Sequence, residues 1–422
     1  MLKTTSFIPI GLVVLLGWFL TGSSWAAILT LDQAYQAALG QSEAIKTQQA
    51  VLDQNKFLQD QVLASYRPAL TAVGTGVLQD TYEGSSAVSS FFQRFTPTAK
   101  LSTSYTIYDG FKDQLSRQNY RTQRLALQSA LAMLRQRLYQ TVSTAYVQLA
   151  ALNQSIETYK NQLQFTQQRV DELQQRARQG KSRQGEVLAA QAQSALLRAQ
   201  IESVRGQIRS AEQALAYYTG LGGPWQLDHL ATPDHVNAAD FVSKAQGRAD
   251  IAEAQANLQA AELTIASEKL GLHPNLGLDG NVYLYRTGSS ESIWWDTTFT
   301  AQWPLYDGGT NTAKVAYNEA ARQSAWQALL LAQRKAELDV KTAYLRLESS
   351  LSSLDALNQA VALAEDNVKA QTQDYRLGLV TNLEVLSSMN GLQDLLLKRD
   401  QVRWDAVLAR IDLDVAAGRA EN

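Results

Sequence analysis

Apolar residues recur at spacings of three and four along most of the chain, which is the pattern of amphipathic helices. The pattern predicts helices over 31–66, 110–177, 183–219, 238–270, 308–376 and 381–417. Neither proline nor glycine occurs between 111 and 179, so nothing in that stretch interrupts a helix. At 1.5 Å per residue, the longest helices reach ~100 Å and the short ones ~55 Å. We therefore expect two short helices, stacked end to end, to lie beside each long one.

Four shorter segments alternate apolar and polar residues with a period of two, at 69–79, 98–108, 275–286 and 295–305. This alternation predicts β-strands with one apolar and one polar face, which is typical of strands in outer-membrane barrels. Aromatic residues lie near the strand ends, where membrane interfaces favour them: Tyr105, Tyr108, Trp294, Trp295, Trp303 and Tyr306. The intervening segments 80–97 and 287–293 contain serine, glycine and glutamate and are expected to be exposed loops.

Four strands are too few to close a barrel, because about eight is the smallest number that does so. Apolar clusters after the N-terminal segment are interrupted by polar residues within a turn, so we expect no transmembrane helix there. A membrane crossing would then have to be a closed barrel built from several chains. Three chains would supply 12 strands with 12 helical strands beneath them, four of each per chain. The alternative is two soluble β-hairpins on a helical bundle.

The chain resembles itself at a constant offset of 198 residues, as from Asp109 to Asp307 and from Gly220 to Gly418. At this offset, Tyr108-Asp109-Gly110 matches Tyr306-Asp307-Gly308, and Glu186-Val187-Leu188 matches Glu384-Val385-Leu386. One ungapped register over this distance indicates an internal duplication. It divides the chain into a first repeat, 27–220, and a second, 238–422. The segment between them, 221–237, is expected to form an equatorial belt at mid-height.

The N-terminal segment has the features of a secretory signal peptide. Lys3 is followed by an apolar stretch from Ile8 to Leu20, and Ser24 and Ala26 are small residues at positions suited to cleavage. These features predict a signal peptide, 1–26, cut after Ala26. The alternative is a membrane anchor, although the apolar stretch is short for a span of about 20 residues. Cysteine is absent, so no disulfide and no lipid-anchor cysteine is possible.

Charge and side-chain chemistry exclude several functions. Lys and Arg total 38 and Asp and Glu total 40, so the chain lacks the basic excess that nucleic-acid binding needs. The three histidines, His229, His235 and His273, do not have the spacing of metal ligands. No glycine-rich phosphate loop occurs. We therefore expect no cofactor and no enzymatic activity.

These features together resemble the TolC family of outer-membrane efflux proteins. The motifs that carry the resemblance are the strand-to-helix segments 105–110 and 303–309 and the hairpin tips 178–188 and 375–386. It extends over nearly all of 28–418. It implies a mixed α+β fold, in which a homotrimer forms a β-barrel in outer-membrane lipid, continued by a periplasmic α-helical tunnel.

The resemblance also implies a function and partners. The chain would form the exit duct of a tripartite efflux pump or type I secretion system. This passive conduit would be opened by a periplasmic adaptor and an inner-membrane pump or ABC exporter. The second interpretation of the sequence is a periplasmic or surface coiled-coil scaffold, which would need neither the alternating strands nor the paired proline and glycine breaks.

Two sets of residues are expected to shape the ends of the helices. At the strand-to-helix turns, glycines would permit the change of direction and aspartates would cap the helices: Asp109, Gly110, Pro304, Asp307, Gly308 and Gly309. At the hairpin tips, Gly180 and Gly378 would end helices in left-handed caps. The tips would offer an adaptor a docking surface, formed with Glu186, Val187, Leu188, Leu379, Val380, Glu384, Val385 and Leu386. The alternative is that these side chains pack within the hairpins.

Five carboxylates precede the tips on the two long helices: Asp171, Glu172, Glu365, Asp366 and Asp374. Threefold symmetry would turn any inward-facing one into an acidic ring at the periplasmic aperture, favouring cations. Asp366 and Asp374 are the first choices. The alternative is a solvated outer face, or a salt bridge to Arg169, Arg176 or Arg376.

Overall fold

The computed structural model describes residues 28–79, 95–287 and 291–418. The predicted signal peptide, 1–26, and most of the loop 80–97 lie outside these residues. The elements in chain order are β1 (Ile28–Leu29), α1 (Leu31–Gln41), α2 (Glu43–Ser65), β2 (Ala69–Leu78), β3 (Phe95–Tyr108), α3 (Lys112–Arg178), α4 (Gln184–Thr219), β4 (Gln226–Leu227), α5 (Ala238–Ala245), α6 (Ala249–Lys269), β5 (Asn275–Arg286), β6 (Trp295–Gln302), α7 (Thr310–Leu377) and α8 (Asn382–Ala416).

The two long helices have 67 and 68 residues, as their uninterrupted periodicity predicts. Short helices meet end to end beside each of them. Ala38 of α1 and Leu215 of α4 share a buried cluster with Tyr146 of α3. In the other half, Phe241 of α5 and Leu413 of α8 pack in one cluster with residues of α7. The predicted stacking is therefore present in this structure.

Two predicted helices are each broken in two, which corrects the predictions for 31–66 and 238–270. Ser42 interrupts the first, because its hydroxyl accepts the backbone N–H of Ile45 and caps α2. The second is interrupted at Gln246–Arg248, where Gly247 lies between α5 and α6. The break places Arg248 at the N-cap of α6.

The main sheet is antiparallel, with the strand order β2-β3-β5-β6. Its register aligns residues of like polarity in rows across all four strands. One row is polar, consisting of Thr71, Ser102, Asn281 and Asp296. The adjacent row points to the opposite face and is apolar, consisting of Ala72, Leu101, Val282 and Trp295. The alternation read from the sequence thus becomes one polar and one apolar face.

The apolar face is not covered by any other element of the described chain. Leu284, Trp295 and Phe299 are between 61% and 68% exposed. Strands β2 and β6 each have one edge without a partner strand in the described chain. A large exposed apolar face with two unpaired edges is incompatible with an isolated sheet in water.

Two strand boundaries differ from their predictions. Strand β3 begins at Phe95 rather than at 98, because β2 continues to Leu78 and pairs with it. Strand β6 ends at Gln302 rather than at 305, because its partner β5 begins at Asn275, opposite Gln302. Pro304 then follows, and it has no N–H to donate to a sheet.

The segment 221–237 crosses the helical layer and is fixed at several points. Its strand β4 pairs in parallel with β1. The buried hydroxyl of Tyr146 donates to the carbonyl of Leu29 at 2.8 Å and accepts the backbone N–H of Asp228 at 2.9 Å. Arg403 of α8 donates to the carbonyl of Leu230 at 3.0 Å. Within the described residues, no helix is both long and apolar enough to cross a lipid bilayer.

Candidate functional site

The turn from β6 into α7 is shaped by two glycines and one aspartate. Gly308 and Gly309 have φ values of 72° and 88°, which a side chain would disfavour. The carboxylate of Asp307 accepts the backbone N–H groups of Gly309 at 3.1 Å and of Asn311 at 2.7 Å. Asp307 therefore satisfies donors of the first turn of α7, although the N-cap residue itself is Gly309.

The corresponding turn into α3 is built differently, and the expected capping role of Asp109 is wrong. The N-cap of α3 is Phe111, with φ 66° and no side-chain cap. Asp109 instead lies beside the side chain of Tyr66, where burial and the carboxylate raise the pKa of Tyr66 to about 12. Gly110 has φ 78°, and a Cβ there would lie 3.0 Å from the Cβ of His273, so both conformation and space require glycine.

The two helical hairpins, α3–α4 and α7–α8, bring their turns together at one end of the molecule. Gly180 and Gly378 have φ values of 73° and 77°, and Gly378 is the left-handed C-cap of α7. The hairpins pack through one buried cluster, formed by Leu173, Val187, Ala190, Tyr375, Val385 and Leu386. This structure therefore has the two tips in direct contact.

The buried cluster divides the residues that we predicted as a docking surface. Val187, Val385 and Leu386 are buried between the hairpins, which corrects the expectation that they lie on the surface. Val380 is half-buried against the same cluster. Leu188 and Leu379 are exposed, and so are Leu377 and Leu383, which the prediction did not include. The available apolar surface at the tips is therefore formed by these four leucines.

A polar network joins the hairpins beside the cluster. The hydroxyl of Tyr375 on α7 donates to the carboxylate of Glu186 on α4 at 3.0 Å. Ser182 donates to the same carboxylate oxygen. The guanidinium of Arg169 lies 4.0 Å from the centre of the Tyr375 ring, and that of Arg176 lies 4.9 Å from it. Burial raises the pKa of Tyr375, and the Glu186 carboxylate adds to the effect, so the phenol remains a donor at neutral pH.

Arg169 is the most buried charge of this network, and the sequence named it only as an alternative salt-bridge partner of the carboxylates. It is 5% exposed. Its Nε donates to Asn382 at 3.0 Å, and its Nη1 donates to Glu172 at 2.9 Å. It therefore links α3 to the first residue of α8. The position of Arg169 in the sequence does not indicate that it is buried, because an arginine on an amphipathic helix usually lies on the solvated face.

The five predicted aperture carboxylates have different surroundings. Glu172 bridges Arg169 and, at 3.9 Å, Arg376, as in the salt-bridge alternative. Asp366 is exposed and pairs with Lys369 at 2.9 Å. Asp171 and Glu365 are exposed, and Asp374 is half-buried.

The tip of the α7–α8 hairpin is also fixed at the start of α8. The Glu384 carboxylate accepts the backbone N–H and the hydroxyl of Thr381. These hydrogen bonds lower the pKa of Glu384. Glu384 is thus a structural residue of the turn.

The three histidines, for which the sequence predicts no metal site, lie in different parts of the structure. His235 contacts Glu348 at 3.1 Å, and His229 contacts Arg403 at 3.1 Å. His273 lies against Gly110. Within 28–79, 95–287 and 291–418, no three His, Cys, Asp or Glu side chains converge as metal ligands would.

The chain combines a sheet that has one exposed apolar face with two very long helical hairpins, and comparison with known proteins identifies its family. The profile of the family described as outer membrane efflux protein matches residues 34–221 and 243–419. The chain belongs to this family. Its members are channels of the outer membrane that extend into the periplasm, and this chain has the same location.

Named relatives and solved structures agree with this assignment. The chain is 22% identical to the outer membrane efflux protein BepC of Brucella suis, over 96% of this chain and 89% of that protein. It is 24% identical to the outer membrane protein TolC of Salmonella enteritidis, over 96% of this chain and 86% of that protein.

Two solved structures show the same fold as this efflux protein. CusC matches with a TM-score of 0.79 at 18% identity, covering 92% of both chains. VceC of Vibrio cholerae matches with a TM-score of 0.78 at 20% identity, covering 92% of this chain and 96% of that one. The fold is therefore that of outer-membrane channels with a helical tunnel and a β domain, and the relatives are channels rather than enzymes.

Proposed function

We propose that this chain is one subunit of a homotrimeric exit duct, serving a tripartite efflux pump or a type I secretion system. Three sheets would join edge to edge as a 12-strand barrel in the outer membrane, continued by a helical tunnel into the periplasm. The observation that carries the proposal is the sheet itself, which has an exposed apolar face, a polar face and two edges without partners.

The sheet requires more than one copy of the chain. Lipid requires every backbone N–H and C=O to be paired, so β2 and β6 need partners if the sheet crosses the membrane. Four strands close no barrel. Three copies would pair each β2 with a neighbouring β6, place the apolar face toward lipid and leave the polar face toward a water-filled lumen.

The helices support the same arrangement. In the tip half of the helical layer, α3 packs against α4 and α8, and α8 against α7, which leaves α4 and α7 at the two edges. Helix α7 carries Leu363 in this half, which is 73% exposed. Helix α4 carries the exposed Leu196. Both edges therefore have apolar side chains that a sister copy would cover.

The common order of elements in the two halves supports the proposal of two structural repeats per chain. Each half runs through two short helices, two strands and a long hairpin. The turns at the hairpin tips also correspond, with glycines in left-handed conformations at 180 and 378. Six helical hairpins per trimer, two from each chain, would then form the tunnel wall.

We propose further that the tips close the tunnel and that docking of an adaptor opens it. The Tyr375–Glu186 bond and the cluster around Leu173 hold the two hairpins together in this structure. The exposed leucines at 188, 377, 379 and 383 offer a surface for a helical partner. A partner that binds this surface better when the hairpins have separated would shift the tip toward an open state.

A pair of substitutions at Gly378 tests adaptor docking. Gly378→Trp adds a large ring where nothing lies within 4 Å of the glycine, and Gly378→Ala imposes the same backbone cost at φ 77° without the ring. We expect crosslinking to the adaptor to be lost in the tryptophan variant and retained in the alanine variant, with both still trimeric. Equal crosslinking of the two variants would remove Gly378 from the docking surface.

Asp374 is the aperture carboxylate that we propose as an acidic ring. Asp366 already has Lys369 as a partner, whereas in the part of the chain that the structure describes no cation lies within salt-bridge distance of Asp374. Three copies around a threefold axis would give a ring that favours cations. We expect Asp374→Ala to reduce cation selectivity in planar bilayers, with Asp171→Ala as the control. Unaltered selectivity would exclude Asp374.

Conduction tests the proposed function itself. Purified protein added to a planar lipid bilayer should insert as discrete steps of conductance, since a trimer of such subunits encloses a water-filled path. A protein that associates with lipid but never conducts, even after the Tyr375–Glu186 bond is removed, would contradict the exit-duct proposal.

A further inference from the structure

A groove of about 670 Å³ lies on α8, between α3 and α7, just above the hairpin tips. Its floor contains three half-buried apolar side chains of α8, Met389, Leu392 and Leu396. Their spacing of three and four residues places them along one side of the helix. The α3 wall adds the ring of Phe165, which is 58% exposed. The groove therefore has a continuous apolar strip that no other part of the described chain covers.

The tip end of this groove is rich in guanidinium groups. Arg169 and Arg376 both contact a single carboxylate, that of Glu172, at 2.9 and 3.9 Å. Nη2 of Arg169 is buried and has no hydrogen-bond partner. Arg376 is largely exposed and supplies N–H groups that a ligand reaches from solvent. Two cations sharing one anion leave a positive excess where the apolar strip ends.

The groove would remain open in a trimer. The helices follow the order α4, α3, α8 and α7, so sister copies would join at α4 and α7. The groove lies over α8, on a face of this layer and away from both edges. A neighbouring copy that continues the layer therefore leaves the groove accessible.

We infer that this groove is a binding site for amphiphilic anions. A carboxylate, sulfate or sulfonate head group accepts hydrogen bonds from Arg376, with the charge of Arg169 behind it. The apolar body of the ligand lies along Met389, Leu392 and Leu396 and is removed from water. The inference goes beyond the proposed function, because it gives the tip region a small-molecule ligand whose binding does not depend on conduction.

The test compares two probes that differ in charge. Full-length protein in lipid nanodiscs is titrated with 1-naphthalenesulfonate and with the uncharged 1-naphthalenesulfonamide, using equilibrium dialysis against empty nanodiscs. We expect saturable binding of one sulfonate per chain, at least tenfold tighter than the sulfonamide. Absence of saturable sulfonate binding, or equal affinity for the two probes, would overturn the inference.

Variants assign the binding to this groove. Arg376→Gln should raise the Kd for the sulfonate about tenfold, because it removes a charge-assisted contact. Arg178→Gln removes an exposed arginine of α3 outside the groove and should leave the Kd unchanged. Leu392→Gln should weaken both probes by removing part of the apolar floor. Wild-type affinity in Arg376→Gln would overturn the site.

The binding assay and the bilayer assay fail independently. A protein that conducts ions but binds no sulfonate would overturn the groove and leave the exit duct in place. A protein that binds the sulfonate through Arg376 but never conducts would overturn the exit duct and leave the groove in place.

Discussion

Removing the hydroxyl of Tyr375 is the most direct way to loosen the closed tip without disturbing its packing. Tyr375→Phe keeps the buried ring between Leu173 and Val385 and its contacts with Arg169 and Arg176. It deletes the 3.0 Å hydrogen bond to Glu186, which joins the α7–α8 hairpin to the α3–α4 hairpin. The change therefore acts on the association of the two hairpins.

The size of the effect follows from the kind of bond. A hydrogen bond to a charged group contributes about 1.5–3 kcal/mol. Since about 1.4 kcal/mol corresponds to a factor of ten, the equilibrium between joined and separated hairpins should shift ten- to a hundredfold per chain. The Glu186 carboxylate keeps Ser182 as a donor, which favours the lower part of this range.

Single-channel recording in planar bilayers measures this shift. We expect Tyr375→Phe to raise the fraction of time spent at high conductance by about tenfold or more, without changing the yield of inserted protein. Tyr217→Phe is the matched control, because Tyr217 is 77% exposed on α4, away from the tips. If Tyr375→Phe and Tyr217→Phe both behave like the wild type, this bond does not hold the tip closed.

Three further predictions concern the sheet and the helical layer. Phe299→Lys places a charge on the apolar face and should reduce membrane insertion, because a lysine near mid-membrane costs about 2–4 kcal/mol. The control is Thr300→Lys, which places the same charge on the polar face and should insert normally. The two proteins are compared by their yield in outer-membrane fractions, and equal yields would refute the assigned faces. Tyr146→Phe should lower the free energy of unfolding by about 1–3 kcal/mol, because it removes the hydrogen bonds that the buried hydroxyl makes with Leu29 and Asp228. Burial raises the pKa of Tyr146 to about 12. The stability that Tyr146 contributes is therefore complete below the ordinary tyrosine pKa and is lost as pH rises through about 12. Alkaline unfolding of the wild type and of Tyr146→Phe measures this difference. Arg248→Gln should destabilise by about 1.5–3 kcal/mol, since Arg248 joins Asp250 and Asp339 to the last turn of α8, and thermal unfolding that matches the wild type would contradict this.

Periodicity in the sequence was sufficient for the long elements because the physics that sets them is local. Strand β5 has the predicted bounds, because its apolar and polar residues alternate clearly and turn residues flank it at both ends. The break at Ser42 was missed because no glutamate or glutamine three residues later marks a capping box there. The end of β6 was overestimated because Trp303 and Leu305 continue the alternation after the partner strand has ended.

The candidate site was harder to predict because its contacts join distant parts of the chain. The burial of Arg169 depends on the ring of Tyr375, which the sequence places on another helix. Likewise, the sequence shows that Val187 and Val385 are apolar tip residues, but not that they face each other across the two hairpins. The hairpin-tip motif could be identified from neighbouring residues in the sequence. Which of its residues are buried and which are exposed could be seen only in the fold.

The central claim is that each chain supplies one third of a closed wall, and the mass of the native particle tests it most directly. Protein extracted from outer-membrane fractions in mild detergent is measured by light scattering and by gel migration before and after boiling. We predict a particle of three chains that migrates as a trimer until it is heated. A stable monomer that is soluble in water without detergent would contradict the claim.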